Sequence, residues 1–485
     1  MRRITRGHHP HPVRAEPVEA PFFLAPARKQ GRPFDKLRVN GSPLRRVVLA
    51  ATLAAMLMPV AATAQQAAQP PAAAAEDTAT LDQRAADLIP LLNGGGDVPA
   101  AFAPEFLAQV SEPQLRATLA QVTQMLGRAE KVATLSPIAA HAADATVAYE
   151  KGTLTLKFAV QPEAPHRFIG LRLTGTQTGE QSIDEVAAAI RALPGKTGFI
   201  LTRLDTPDAP PIAAIEPDRP LAIGSAFKLV ILAELVREIA GGKRHWDDPI
   251  TLDGGDLPGG FYADKAKGTI ATLRDLATKM ISVSDNSATD ILLHTLGRDK
   301  VEAMLPVVGI KDQSGMRPFL STLDMFKLKG VDGGKLGDQW LTLDDKGRRK
   351  LLAEKVAPAP IAAIPAGLFQ DNKPNRLGIE WYASPADLAR VMDWLRRHTE
   401  TGPAAEARRI LGLNPGIPAD TAAHWAYVGY KGGSEPGVLD MTLLLHAKSG
   451  GWYALSGTWN NPDAALAEGR LIGLISRAAM LAAER

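Results

Sequence analysis

The stretch "IGSAFKLVILAELV", from Ile223 to Val236, does most to limit what this chain can fold into. Phe227, Leu229, Val230, Ile231 and Leu232 crowd together too continuously to form one face of a surface helix, so the segment reads as a helix buried on all sides. Such a helix needs a large domain wrapped around it. Lys228 is the only charge in its first two turns. An ammonium buried without partners is costly, so this one has to be paired, neutralised or kept for chemistry.

The flanking patterns say what wraps the helix. Before it, "SIDEVAAAIRALPG" reads as a helix whose start is marked by Ser182 and Glu185 as a capping box, followed by strands in "TGFILTRLD" and "PIAAIEP". Far downstream, "HWAYVGYKGG", "GVLDMTLLLHA" and "GWYALSGTWN" read as three antiparallel strands, closed by the helix "AALAEGRLIGLISRAAMLAA". Strands at both ends of a helical middle imply one antiparallel sheet completed by both ends, plus an all-helical subdomain. We assign this region to 175–485.

Upstream, "LDQRAADLIPLLN", "PAAFAPEFLAQV" and "EPQLRATLAQVTQML" read as helices, and "ATVAYEKGTLTLKFAV" and "RFIGLRLTG" as strands, the first two joined by a Lys-Gly turn. Helices followed by an antiparallel sheet suggest a small α+β domain over 77–174. Asp144 and Glu150 within it read as solvated surface, so the domain is expected to be a scaffold or binding module. The chain as a whole is therefore expected to mix α+β and α/β organisation. No internal repeat or coiled-coil heptad is visible.

Arg45 and Arg46 precede "VVLAATLAAMLMPVAATA", a basic n-region and apolar h-region ending in an A-x-A site. We read 45–64 as a secretory signal cleaved after Ala64, 65–76 as a linker, and 1–44 as an atypical extension ahead of a start site near Val39 or Leu44. The expected location is periplasmic or secreted, with no stable membrane insertion after cleavage. The competing reading of 45–64 is a single membrane anchor. The leader, residues 1–64, holds eleven Lys/Arg against three Asp/Glu, more than the whole chain's net charge of +3, so the remainder is acidic and no nucleic-acid footprint is expected. With no cysteine there is no disulfide and no thiolate nucleophile, and the histidines outside the leader never reach metal-ligand spacing. We expect no metal and no cofactor.

Ser225 lies three residues before Lys228, which on a helix puts both side chains on one face, about 5 to 6 Å apart at Cβ. At a helix N-terminus the backbone N–H groups favour developing negative charge. A neutral amine beside a hydroxyl is a general base beside a nucleophile, although a capping serine and a snorkelling lysine would share this spacing. Ser225 is the one serine with lysine at +3. The chain's single Ser-Asp-Asn follows as Ser284, Asp285 and Asn286, and its single Lys-Gly-Gly as Lys431, Gly432 and Gly433 at the end of a strand pattern. Alone, each of these is a cap or a turn. Together and in this order, they form a constellation.

In these motifs the sequence resembles the class A β-lactamases and penicillin-binding serine hydrolases, whose S-x-x-K, S-D-N and K-T-G motifs define an active site. The resemblance runs from about Ser182 to the C-terminus and takes in "ASPADLARVMDWLR", the helix ahead of the last strands. It implies a β-lactamase-like fold, with Ser225 the acyl-accepting nucleophile, Lys228 its base or proton relay, Ser284 a proton shuttle to the leaving group, Asn286 a substrate-positioning group and Lys431 a positive charge at the mouth. The backbone N–H groups of Ser225 and Ser434 would form the oxyanion hole, with Gly433 beside them on the substrate-binding strand.

Three departures stand out. Gly432 replaces the Thr or Ser of the family, removing a hydroxyl. No E-x-x-L-N motif follows Ser-Asp-Asn, which leaves Asp324 and Glu380 as the acidic candidates for a deacylating base, each also readable as a structural carboxylate. Trp340, Phe369, Trp381 and Tyr382, in the long insertion between Asn286 and Ser384, are candidate pocket linings that core packing would equally explain. Third, the N-terminal domain resembles nuclear-transport-factor-2-like or steroid-isomerase-like cone domains in element order, a pairing similar to the serine hydrolase of clavulanic acid gene clusters. The implied function is a serine acyl hydrolase acting on a β-lactam, ester or related amide. A D,D-peptidase or slow acyl-trap for peptidoglycan-like peptides shares its first step, and a non-catalytic binding protein is the reading from another class.

Overall fold

Strands from the two ends of the larger region do meet in one sheet. The computed structural model describes residues 71–206, 208–369 and 372–485, so the expected extension and signal lie outside the described residues. The sheet runs β7(Trp425–Glu435)-β8(Val438–Ala447)-β9(Trp452–Asn460)-β5(Lys196–Arg203)-β6(Ala213–Ile215), antiparallel throughout. The joining register places Leu455 opposite Leu201 and Gly457 opposite Phe199. Ile183, Val186 and Ile190 from α3(Ile183–Arg191) and Leu471, Leu474 and Ile475 from α9(Glu468–Ala483) bury one face of the sheet. The other face receives Ala386 and Ala389 of α8(Pro385–His398).

Between β6 and β7 the chain builds the helical subdomain, with α4(Lys228–Ala240) at its centre. Leu229, Ile231, Leu232, Leu235 and Val236 are all fully buried, as an apolar run of this kind requires. Around α4 pack α5(Leu273–Ser282), α6(Asn286–Leu296), the helix Arg298–Val307 and α8, while α7(Thr322–Gly330) packs on α6. The expected capping box at α3 is half formed. Ser182 accepts from the Glu185 N–H, but the Glu185 carboxylate reaches back to Gln181 N instead of Ser182 N.

The N-terminal region pairs α1(Pro71–Leu92) and α2(Glu112–Leu126) with a meander, β1(Ala129–Ala139)-β2(Ala142–Tyr149)-β3(Gly152–Val160)-β4(Phe168–Thr178). α1 begins inside the segment read as a linker, and β4 continues past residue 174. β1 has no counterpart in the sequence reading: it is largely exposed, carries Pro137 and lacks a two-residue alternation of burial. The β2–β3 turn falls at Glu150–Lys151, with Gly152 already in the strand. This region docks on the back of the sheet through α9. Arg470 pairs with the Glu180 carboxylate at 2.6 Å, Arg477 donates to Glu180 O at 2.6 Å, and Gln177 reaches Met480. Among the described residues no helix is long and apolar enough to cross a membrane.

Candidate active site

Ser225 sits in one 3-10 turn, Gly224–Phe227, and the α-helix proper begins at Lys228. In a 3-10 turn residues i and i+3 eclipse, so this local winding aligns Ser225 with Lys228 more directly than an α-helix would. Two glycines allow the turn to lie against β7. Gly224 has φ +49°, and a Cβ on Gly433 would fall 2.2 Å from Ser225 N. The Ser225 and Ser434 backbones are therefore neighbours, as a two-point N–H cradle demands.

Other elements clamp the same turn. Asn460 at the end of β9 accepts from Ala222 N at 2.8 Å and donates to Ala222 O at 2.9 Å. Trp381 accepts from Ile223 N and stacks on Phe227 at 3.7 Å between ring centroids. The sequence alone gives Asn460 no role, since an asparagine closing a strand looks like any turn residue.

Lys228 is fully buried, and its Nζ donates to Ser284 O at 2.6 Å, Ser284 Oγ at 3.0 Å and Asn286 Oδ1 at 2.7 Å. Ser284 makes this reach by adopting φ 57°, a left-handed conformation that non-glycine residues seldom take. Asp285 holds the conformation. Its carboxylate caps α6 at Ala288 N (2.8 Å) and accepts from Ser287 Oγ (2.6 Å) and Phe261 N (2.5 Å). The middle residue of Ser-Asp-Asn is thus structural, while the outer two face the lysine. Strain held in this way by surrounding bonds is typical of functional sites.

Lys431 differs from the expectation of a charge at the mouth. It is buried, at 2% exposure, and its Nζ donates to Gly432 O. Beneath it lies a polar seam on β8 and β9 that the sequence reading misses. Asp440 accepts from Thr458 Oγ1 at 2.7 Å and Thr442 Oγ1 at 2.9 Å, and Thr442 meets Ser456 at 3.0 Å, all with zero exposure. Burial pushes the Asp440 carboxyl up to about 7, against the pull of both threonines and Lys431. The signal is present as polar residues at alternate positions of otherwise apolar strands, in "DMT" and "SGT".

Both candidate deacylating carboxylates have structural employment. Asp324 closes the capping box of α7 with Ser321 and accepts from Arg298 at 2.7 Å. Glu380 is buried against Lys329, which also holds Glu435. Trp340, Trp381 and Phe369 are buried in the core. Trp340, Trp381 and Tyr382 nevertheless border a cavity of about 270 Å³ shared with Glu380, Arg317 and Arg348, a lining that does not include Phe369. In the N-terminal region Asp144 pairs with Lys157 at 2.7 Å on the surface, and Glu150 accepts from Arg128 N.

The sequence profile of the β-lactamase enzyme family matches residues 180–482. Among solved structures, a β-lactamase from Sphaerobacter thermophilus is 22% identical, covering 62% of this chain and 97% of its own, with a TM-score of 0.43. A β-lactamase from Chitinophaga pinensis is 15% identical, with coverages of 62% and 97% and a TM-score of 0.43. A mutant of PBP-A, in an acyl-enzyme complex with penicillin G, is 15% identical, with coverages of 62% and 96% and a TM-score of 0.42. No curated protein matches the chain.

Proposed function

Since the chain belongs to the β-lactamase enzyme family, we propose that it is a serine acyl hydrolase working through a covalent acyl-enzyme on Ser225. The observation that carries this reading is the convergence of Ser284 Oγ, Ser284 O and Asn286 Oδ1 on the buried Lys228 Nζ, one turn from Ser225. Ser225 Oγ attacks the substrate carbonyl as its proton passes to Lys228 Nζ. The carbonyl oxygen gathers charge against the N–H groups of Ser225 and Ser434. As the C–N or C–O bond breaks, the proton returns to the leaving group through Ser284 Oγ. Asn286 orients the lysine and the substrate, and Lys431 adds positive charge beneath the strand. Water then cleaves the Ser225 ester, releasing the acid and restoring the serine.

The substrate class is a β-lactam, ester or related amide. Because Asp324 and Glu380 are both engaged elsewhere, the acyl-enzyme is expected to be long-lived, which favours the slow acyl-trap as the second reading. We further propose that the N-terminal region is a cone-like scaffold in the manner of steroid-isomerase-like domains, paired with a hydrolase as in clavulanic acid gene clusters. The helices preceding its antiparallel meander support that reading. The predicted signal supports export to the periplasm or medium.

Intact mass and turnover are followed with a chromogenic cephalosporin, benzylpenicillin and a p-nitrophenyl ester. The expected result is an acyl adduct on the wild type and none on Ser225→Ala. A wild type with neither adduct nor turnover on all three sinks the enzyme reading.

A further inference from the structure

The long insertion between Asn286 and Ser384 folds three of its segments around the cavity of about 270 Å³ that Trp340, Trp381 and Tyr382 border. Two glycines let the segments close in. A Cβ on Gly315 would fall 2.4 Å from the Tyr382 Cβ, and one on Gly378 would fall 2.8 Å from Leu341 Cδ2. Trp381 ties the third segment to the first, its Nε1 donating to Leu320 O at 3.2 Å. The described lining includes none of Ser225, Lys228, Ser284, Asn286 and Lys431, so this space is not the acylation cleft. One wall nevertheless adjoins it. Trp381 O accepts from Ile223 N and Tyr382 pairs with Ala222, on the backbone that leads into the Ser225 turn.

Two arginines of the lining have guanidinium nitrogens to spare. Arg348 is fixed by Trp340: its Nε donates to Trp340 O at 3.3 Å, and its guanidinium carbon lies 5.1 Å from the ring centroid. Among the described residues no carboxylate pairs with it, and its two Nη nitrogens have no hydrogen-bond partner. Arg317 reaches Glu302 only at 3.9 Å, because that carboxylate is already engaged by Arg349 and the Phe319 N–H. Its Nε is buried with no hydrogen-bond partner. Glu380, the one carboxylate among the described lining residues, does not cancel the two cations, since its own charge is answered by Lys329 at 2.8 Å. The cavity is therefore electropositive. An unpaired buried donor in such a wall is destabilising, and an anion would remove the defect.

The chemistry of the walls narrows the ligand. A guanidinium fork matches the planar oxygens of a carboxylate or phosphate. Met316, Pro318, Leu320 and the two tryptophans make much of the remaining surface apolar. The volume is about nine times that of one water in the liquid, which suits a compact body of one ring.

We infer that this cavity is a second ligand site, separate from the acylation cleft, which binds a small organic anion: a carboxylate or phosphate monoester with a compact apolar body, its anionic oxygens held by Arg317 and Arg348. The inference does not depend on the hydrolase reading.

Isothermal titration calorimetry of the whole chain with benzoate, phenyl phosphate and the neutral benzamide tests it. At least one anion is expected to bind with a Kd below about 1 mM and about tenfold or more tightly than benzamide, and the tighter of the two identifies the oxyanion. Arg317→Met and Arg348→Met keep an unbranched stem at each place and should each weaken that anion about 10- to 100-fold, the size of a hydrogen bond to a charged group. Urea midpoints show that the variants are folded, and either one alone suffices for the comparison. Lys431→Met, which removes the cation of the acylation cleft, should leave the affinity within about twofold. Binding of neither anion below about 1 mM, equal binding of benzamide, wild-type affinity in a folded arginine variant, or loss of binding in Lys431→Met overturns the proposal.

Discussion

Lys228 and Lys329 set the same physical problem in two places. Each is a lysine on a helix with essentially no exposed surface. Burial works against the charge of Lys329, yet Glu380 at 2.8 Å and Glu435 at 2.5 Å hold its pKa above the ordinary lysine value. Burial, and then the charge of Glu380, push the Glu435 carboxyl well above the carboxylate range, against the pull of Lys329. The group therefore closes on itself as one ammonium held between two carboxyl groups, of which Glu435 resists ionising. It staples α7 to β7 and to the segment ahead of α8, and so fixes the strand that carries Ser434. The oxygens that Lys228 meets on Ser284 and Asn286 are neutral, and Ser225, the proposed nucleophile, lies one turn away. Carboxylates lock a buried ammonium in its charged form, whereas neutral acceptors orient a nitrogen that still has to exchange its proton.

Replacing each lysine by methionine breaks the comparison most sharply. Lys228→Met should lower Ser225 acylation by about 1000-fold or more, with a stability loss below about 3 kcal/mol, the cost of the acceptors it leaves unsatisfied. Lys329→Met should do the reverse. It leaves two buried carboxyl groups without their cation, at a cost of about 3 to 5 kcal/mol, with far less effect on acylation per folded molecule. Urea unfolding and intact-mass acylation on both variants check this, and a Lys228→Met protein that acylates normally would remove the chemical half of the contrast.

The carboxylates sharpen it further. Glu380→Gln and Glu435→Gln each leave Lys329 one carboxyl partner, so each should cost only about 1 kcal/mol. The double variant leaves the ammonium without a counter-charge and should cost about 3 kcal/mol, more than the two singles together. Simple additivity in urea midpoints would show that the carboxylates act independently.

The contrast between the lysines also measures what the sequence can disclose. Lys228 is conspicuous because Ser225, Ser284 with Asn286, and Lys431 stand in local motifs, and the helix and strands bearing them follow from periodicity. Lys329 escapes notice because its partners lie 51 and 106 residues away and meet it only in the folded chain. Glu380 stands out for its acidity alone, which cannot tell a base from half of an ion pair. The same limit hides Asn460, whose two hydrogen bonds to Ala222 span 238 residues. β1 is hidden for another reason, since an exposed edge strand has no apolar alternation to read.

The smallest effect concerns Asp440, a buried carboxyl whose neighbours are hydroxyls and one lysine. Burial lifts its pKa to about 7 from the ordinary 3.8, so between those values the folded protein keeps a proton that the unfolded chain has released. The stabilisation is therefore complete below about pH 4 and is lost as pH rises through about 7. From pH 5 to pH 8 Asp440 should withdraw about 2 to 3 kcal/mol of stability. Asp440→Asn keeps an acceptor for Thr458 and offers an N–H toward Thr442, so it should fold and flatten that slope. Glu435, raised in the same direction, leaves a residual slope of the same sign. Urea midpoints at pH 5, 6.5 and 8 decide the matter: if the wild type gains stability across that range, or the variant keeps the full slope, Asp440 does not hold the proton that its burial assigns to it.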